Sequence, residues 1–553
     1  MKKSTAVLST VALTSALWLS GCSGNNNDAN SSSSPAASAS GSASATAGAE
    51  GSTQAFPLKE KVTLKAVTQR PALAPSDFNE MEMAKKLEAA TNVHIEWDTI
   101  VDTDYQEKKN LLITSGSLPD FFLNSGFSDS DIIRYGKDGT ILPFNDYIDK
   151  YMPNLKALFE KRPDIKALVT APDGNIYSLP VGEELGSGQE EIGSNPDFLY
   201  INQDWLTKLN LQMPTTLEEY HKVLQAFKTQ DPNGNKKADE IPLTFMNAFW
   251  TGDIGYLFGA FGVPDKTYQP NNNAFTEHLN VDNGKVSFAA VQDGYKQAAA
   301  YFHDWVKEGL IDKESLTQDV TQYFAKGKND PEIMGSFLWW DHTDVVADRD
   351  AHYPIVPPFK DMVVKWNNGS ALGRGGAVIT KDNKNPEITA QWLDNLYEPH
   401  TAAEVRWGPE GIWFDKDASG KFVQKTDLNN PGEFRQKVSL GGAGVITGDD
   451  FKTVVAPEAR AQKRMDDIKN IFVPQMQKEK YPNIFFTEEE LATIDSIKPE
   501  IQTFTNSSRA KFLLNGVTDG EWNDYVSKLK KMGLDDLLKI YQDGYNRYLA
   551  AQK

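Results

Sequence analysis

The sequence predicts an α/β protein with more than one compact core. Two observations carry this. Apolar periods of two and of about 3.6 residues alternate from Val62 onwards, the signature of strands interleaved with helices. The chain of 553 residues, even without its first 55, is also longer than one hydrophobic core sustains, so two domains are expected.

The N-terminus comes first. Lys2 and Lys3 precede a mostly apolar run, Ala6 to Leu19, which is too short for a comfortable membrane span and reads as a signal peptide over residues 1–21. It ends in Leu19-Ser20-Gly21-Cys22, small residues before a cysteine, as in a bacterial lipobox. Cys22 is the sole cysteine, which excludes an internal disulfide framework and leaves acylation as its role. Two acyl chains (diacylglyceryl, with palmitate as the typical acid) hold a bilayer stably where one does not. Residues 22–55 are almost wholly Ser, Ala, Gly, Asn and Thr, and form a tether spanning roughly 30 Å.

Net charge is −19, and −21 once Lys2 and Lys3 leave with the signal. Such a surface repels nucleic acid and anionic membrane, and no basic stripe reverses this. No later segment approaches a transmembrane length.

Val62–Val67 reads as a strand, and Met83, Ala84, Leu87 and Ala90 mark a helix. Val93–Trp97 alternates as a half-buried strand. A helix with Tyr105 and Leu112 follows, then a turn at Leu118–Asp120 and a short buried strand to Leu123. This β-α-β-α-β order predicts a parallel sheet with right-handed crossovers. Loops at the carboxyl ends of such strands line ligand crevices. Here they are Thr68-Gln69-Arg70 and Asn124-Ser125-Gly126-Phe127. Asp173–Pro180 predicts a turn, a strand and a break. Phe198–Ile201 is a further strand, Glu218–Phe227 an amphipathic helix, and Lys296–Val306 a helix stopped by Gly309. Asn368–Ile379 is glycine-rich and enters a strand. A helix starts near Pro386, and Trp522 to Tyr541 trace terminal helices.

Between two of these elements lies Asp231-Pro232-Asn233-Gly234-Asn235-Lys236-Lys237-Ala238-Asp239-Glu240-Ile241-Pro242. Oxygens fall at Asp231, Asn233, Asn235 and Asp239, and the Lys237 carbonyl fills the gap. This is the start of EF-hand spacing, with calcium as the implied cofactor in a structural role. Lys236 and Pro242 depart from the rule at the sixth and twelfth positions. Glu240 closes the shell two residues early. A solvated Asp-Pro-Asn-Gly turn is the alternative. Asp415–Gly420 could be a second cation loop, but a hairpin turn explains it better.

Catalytic signatures are absent. The seven histidines show no metal spacing, and Gly-x-Ser-x-Gly and phosphate-loop motifs are missing. With 76 acidic residues, chance carboxylate pairs carry no weight. Trp250, Trp339, Trp340, Trp366, Trp407 and Trp413 stand in Gly-, Asn-, Asp- and Pro-rich segments. Their faces suit the C–H face of a pyranose. Burial competes for each one, and at least two are expected to face a cleft. Trp205, Trp305, Trp392 and Trp522 belong to cores.

Leu199–Leu206, Met213–Tyr220, the Asp231–Leu243 loop, Gly174-x-x-Tyr177-x-x-Pro180 and the run Glu521–Tyr548 together resemble the family 1 extracellular solute-binding proteins of ABC transporters. The branch resembled includes the alginate-oligosaccharide-binding proteins. The likeness covers essentially all of the chain after the tether. It implies a two-lobed periplasmic-binding-protein-like fold, each lobe a sheet flanked by helices, with hinge crossovers near 174–180 and 368–379. The N-terminal lobe would hold 56–180 and 375–485. The C-terminal lobe would hold 181–374 and 486–553, with the calcium loop at 231–240. It further implies a non-enzymatic, monomeric, lipid-anchored receptor on the outer face of the bacterial membrane. That receptor captures an oligosaccharide by hinge closure and passes it to permease subunits. The expected ligand residues are Arg70, Asn124, Trp250, Trp339, Trp340, Arg374, Trp407 and Trp413. Arg374 would read a uronate carboxylate, or else brace the hinge. A surface glycoside hydrolase or lyase, and a peptide or signalling receptor, are the alternatives.

Overall fold

The computed structural model describes residues 55–247, 249–266, 278–428 and 431–551, which fall in one unit running from Gly51. The signal peptide, Cys22 and all of the tether but Ala55 lie outside them. In chain order the strands are β1 (Val62–Arg70), β2 (Val93–Val101), β3 (Phe121–Leu123), β4 (Val181–Glu183) and β5 (Phe198–Ile201). There follow β6 (Leu279–Asp282), β7 (Lys285–Phe288), β8 (Ser336–Trp339) and β9 (Leu372–Gly373). Last come β10 (Ala377–Ile379), β11 (Phe414–Lys416), β12 (Phe422–Gln424) and β13 (Gly444–Ile446).

The first sheet has the order β10-β3-β1-β2. β1 runs parallel to β2, with Val62 opposite Val93, and parallel to β3, with Ala66 opposite Phe121. The crossovers are helices, as the alternating pattern predicts. Glu82–Thr91 buries Met83, Ala84 and Leu87, and ends on Asn92 in the left-handed conformation. Central β3 is buried throughout, hence its unbroken Phe-Phe-Leu. β10 closes the sheet antiparallel, Ala377 opposite Leu123, although it arrives some 250 residues later.

The expected strand within 173–180 does not form. Leu179 donates to the Ala377 carbonyl and Phe144 to that of Ile176, isolated bonds without a ladder. The chain becomes a strand only at β4, inside a three-stranded ribbon ordered β13-β4-β9. β13 and β4 are parallel, and β9 is antiparallel to β4. Gly182 is obligatory there, since a Cβ would lie 2.4 Å from the Ala371 carbonyl oxygen. The Asp415–Gly420 segment is a hairpin turn between β11 and β12, as expected.

Buried apolar side chains form separate clusters. One joins β1–β3 and β10 to the helices around them, including Trp392. A small one holds Leu185, Trp407, Trp413, Phe414 and Phe422. The largest gathers β5 and β8, Trp205, Trp305 and the C-terminal helices through Trp522 and Tyr541. Ile468, Phe472, Met476 and Tyr481 belong to this largest cluster, whereas the sequence reading grouped them with the first lobe. Within it Arg509 donates to both oxygens of Asp253, at 2.7 and 2.9 Å, and ties the long helix Glu488–Asn515 to the core. No helix among the described residues is long and apolar enough to cross a membrane.

Candidate functional site

The ribbon positions the first feature. β4 and β13 end side by side, and the chain beyond them, with Ser370 and Ala371 before β9, walls a cavity of 420 Å³. Its lining includes Lys161, Arg162, Glu184, Gly186–Gly188, Glu191, Gly448, Asp449 and Lys452. The loop after β4 is closed by Ile192 donating to the Leu185 carbonyl. It folds back so tightly that a Cβ on Gly186 (φ +90°) would lie 2.6 Å from the Glu190 carbonyl oxygen. This turn delivers Glu191 to the cavity wall.

The cations there are matched. Arg162 grips Glu184 at 2.7 and 2.9 Å and Asp164 at 2.6 and 2.8 Å. Those hydrogen bonds hold its pKa well above the usual value. Lys161 and Lys452 converge on Asp449 at 3.1 and 3.0 Å. Glu191 differs. Its charged neighbour Lys480 stands at 3.9 Å, and burial pushes the carboxyl pKa up. The sequence reading missed Arg162, Glu184 and Glu191. The available signal was Gly186-Ser187-Gly188 directly after a strand.

The second feature is aromatic. Trp250 is 36 % exposed, and its ring centroid lies 5.6 Å from Trp340 and 6.3 Å from Trp339. Trp339 is buried among Phe249, Tyr323 and Phe324, and is therefore a support, not a binding face. Half-buried Trp340 is held by Arg464 of the helix Ala459–Asp467. That guanidinium lies 3.5 Å from the Trp340 ring centroid and 4.0 Å from that of Phe198. It donates to the carbonyls of Trp340 and Asn195, and burial lowers its pKa to about 10. Arg460, on the same helix, approaches Asp341 and Asp344 at 3.6 and 3.4 Å. A groove of 600 Å³ along the helix Asp519–Lys531 shares no residue with either feature.

Besides Trp339, three expected ligand residues are placed otherwise. Trp407 and Trp413 are 7 % and 1 % exposed, packed against Phe414, Phe451 and Phe434, with no ring face left for a sugar. Arg374 is a brace. Its Nε and Nη2 donate to both Asp129 oxygens at 2.8 Å, Nη1 to the Leu168 carbonyl, and Nη2 also to Asn483 and the Ile484 carbonyl. Phe485 covers the guanidinium at 4.3 Å, and with four of its five N–H donors engaged it lacks the free pair that a carboxylate takes. Arg70 ends β1 and donates to the carbonyls of Pro71 and Ala74. Asn124 follows β3 in the left-handed conformation (φ +51°), its N–H bonded to the Gly376 carbonyl. Neither lines the ribbon cavity.

The Asp231–Glu240 loop is cross-linked by its own hydrogen bonds. Asp231 accepts from the Lys236 N–H, and the Asn233 and Asn235 amides both donate to Asp239 at 3.0 Å. The Asn233 bond leads in holding the Asp239 pKa down. One oxygen of Glu240 is buried without a partner. Burial first, then the Asp231 and Asp239 charges, push its pKa up. Among the described residues no three His, Cys, Asp or Glu gather as a metal group. The loop's donors are nevertheless of the kind calcium takes, carboxylates with amide and backbone oxygens, and the orphaned Glu240 oxygen fits that set.

Residues 76–403 match the bacterial extracellular solute-binding protein family. The fructooligosaccharide ABC transporter substrate-binding protein FusA of Streptococcus pneumoniae serotype 4 is 40 % identical over 563 positions, covering 100 % of this chain and 99 % of its own. The solved structure of S. pneumoniae FusA with kestose has a TM-score of 0.82 at 40 % identity, over 88 % of this chain and 100 % of that one. An EF-hand mutant of FusA with fructo-nystose has 0.81, at the same identity and coverage. The alginate-binding protein AlgQ2, solved without calcium ion, shares the fold alone, at 24 % identity and a TM-score of 0.67 over 89 % of this chain and 100 % of that one. The α/β architecture is thus that of the periplasmic-binding-protein-like class, and the chain belongs to the bacterial extracellular solute-binding proteins.

Proposed function

We propose that this chain is the substrate-binding component of an ABC importer and captures a neutral oligosaccharide of the fructooligosaccharide kind. The observation that carries the reading is the 40 % identity, end to end, with a protein named for that role. The half-exposed Trp250 beside Trp340 offers a stacking face, and the ribbon cavity offers a polar one. One lobe is built on β1–β3 and β10 with residues to about 466. The other is built on β5 and β8 with the chain from Ile468. The ribbon and the helix Ala459–Asp467 join them. Ligand contacts on both lobes favour the closed state, which the permease subunits then recognise. The protein is monomeric and catalyses no reaction. Cys22 carries the lipid anchor on the outer face of the membrane, and the 231–240 loop holds structural calcium.

Calorimetry with kestose and nystose tests this. Binding of either, with the sugar recovered unchanged by chromatography, is the expected result. Accumulating fructose would make the protein a hydrolase. No heat with either sugar would overturn the ligand class.

A further inference from the structure

We infer that Glu191 is the hydroxyl acceptor of the ribbon cavity and that it selects a neutral sugar unit over a uronate. This deepens the proposed receptor reading and rests on it. Around the cavity the other charges cancel in contact. Arg162 is held by Glu184 and Asp164, and Lys161 and Lys452 share Asp449. Glu191 is only 17 % exposed, and Lys480 at 3.9 Å stands beyond hydrogen-bond distance.

A carboxylate so enclosed is short of donors, and adjacent sugar hydroxyls supply two in the geometry its oxygens accept. A sugar carboxylate in the same space would meet like charge, with Arg162 already engaged on two sides. Lys161 and Lys452, the other cations on the cavity wall, are held by Asp449, and Arg374, away from the cavity, is enclosed by its own partners. The cavity's 420 Å³ lies in the range of small-molecule sites, and its glycine and serine wall leaves room beside Glu191.

The test is calorimetry on wild type, Glu191→Gln and Gly448→Leu, with kestose and trigalacturonate as probes and thermal unfolding as the fold control. Gly448 has an ordinary φ, and a Cβ there would touch the Glu184 carbonyl oxygen at 3.7 Å, a normal contact, so the backbone accepts a side chain at this point of the cavity wall. Wild type should prefer kestose. Glu191→Gln should bind it roughly tenfold more weakly, the effect of one charged hydrogen bond, and should narrow the preference. Gly448→Leu should lose kestose at an unchanged unfolding temperature. Wild-type affinity and preference in Glu191→Gln, or full kestose binding by Gly448→Leu, overturns the inference and leaves the receptor reading standing. Failure of wild type to bind kestose at all removes both.

Discussion

At the scale of single residues, neighbours in sequence say little about what a side chain touches. Arg374 sits between glycines, and from sequence a free guanidinium and a brace fit equally. Its partners Asp129, Leu168, Asn483 and Ile484 are all more than 100 positions away, so nothing local could decide. The geometry makes it a structural clamp, 5 % exposed. Arg374→Ala should therefore cost roughly 3–5 kcal/mol of stability in urea titration, because Asp129 and two carbonyls lose their donor together. Its preference between an acidic sugar and the methyl ester should not change. A variant that folds like wild type but loses an acid preference would return Arg374 to the ligand site. The tryptophans teach the same lesson. Trp250 and Trp413 stand in equally polar segments, yet one is at the surface and the other among Phe414 and Phe434. Trp250→Ala should weaken kestose binding by about 1 kcal/mol in calorimetry with its unfolding temperature little changed.

At the scale of elements, periodicity was informative where one face is buried. It located β1, β2 and the helices between them, because alternation and the 3.6-residue stripe are local properties. Caps supplied from afar were invisible. The helix Pro153–Lys161 has no side-chain cap of its own. Asp394 accepts from the Asn154 and Leu155 N–H groups at 3.1 and 2.9 Å instead. Burial outweighs those bonds and raises its pKa from 3.8 to about 6. The sign follows. The folded state binds the proton more tightly, so this group's contribution is complete below pH 3.8 and is lost as pH rises to about 6. Asp394→Asn keeps the shape without the charge. The stability of wild type minus that of the variant should fall by roughly 2–3 kcal/mol between pH 4 and 7 and be level above it, read from urea midpoints. A flat difference would mean that Asp394 titrates normally.

At the scale of the whole molecule, the division into cores follows contacts that close over hundreds of residues. A linear reading finds the class of fold, while the lobe bounds it sets, with 375–485 in the N-terminal lobe, divide residues that one apolar cluster holds together. The cation loop is the local feature with the longest reach. It follows the helix Leu217–Thr229 and leads directly into Ile241–Thr244, whose bridges to Met334, Ile311 and Phe337 sit in the largest core. Lys208 also anchors the loop, donating to the Pro232 carbonyl. An ion gathered by Asp231, Asp239 and Glu240 would thus hold the entry of that core in place. It would also relieve the crowding that raises the Glu240 pKa. Binding to the folded state alone stabilises by mass action, about 2.7 kcal/mol at a hundredfold excess over Kd. Unfolding should therefore shift to lower temperature on chelation and recover with calcium. Asp231→Ala should start from the chelated value and respond to neither treatment. Because the loop feeds the core and shares no residue with the ribbon cavity, Asp231→Ala should still bind kestose at temperatures well below its unfolding. If the chelator leaves the wild-type transition unmoved, the Asp231–Glu240 segment is a solvated turn and the three carboxylates need no ion.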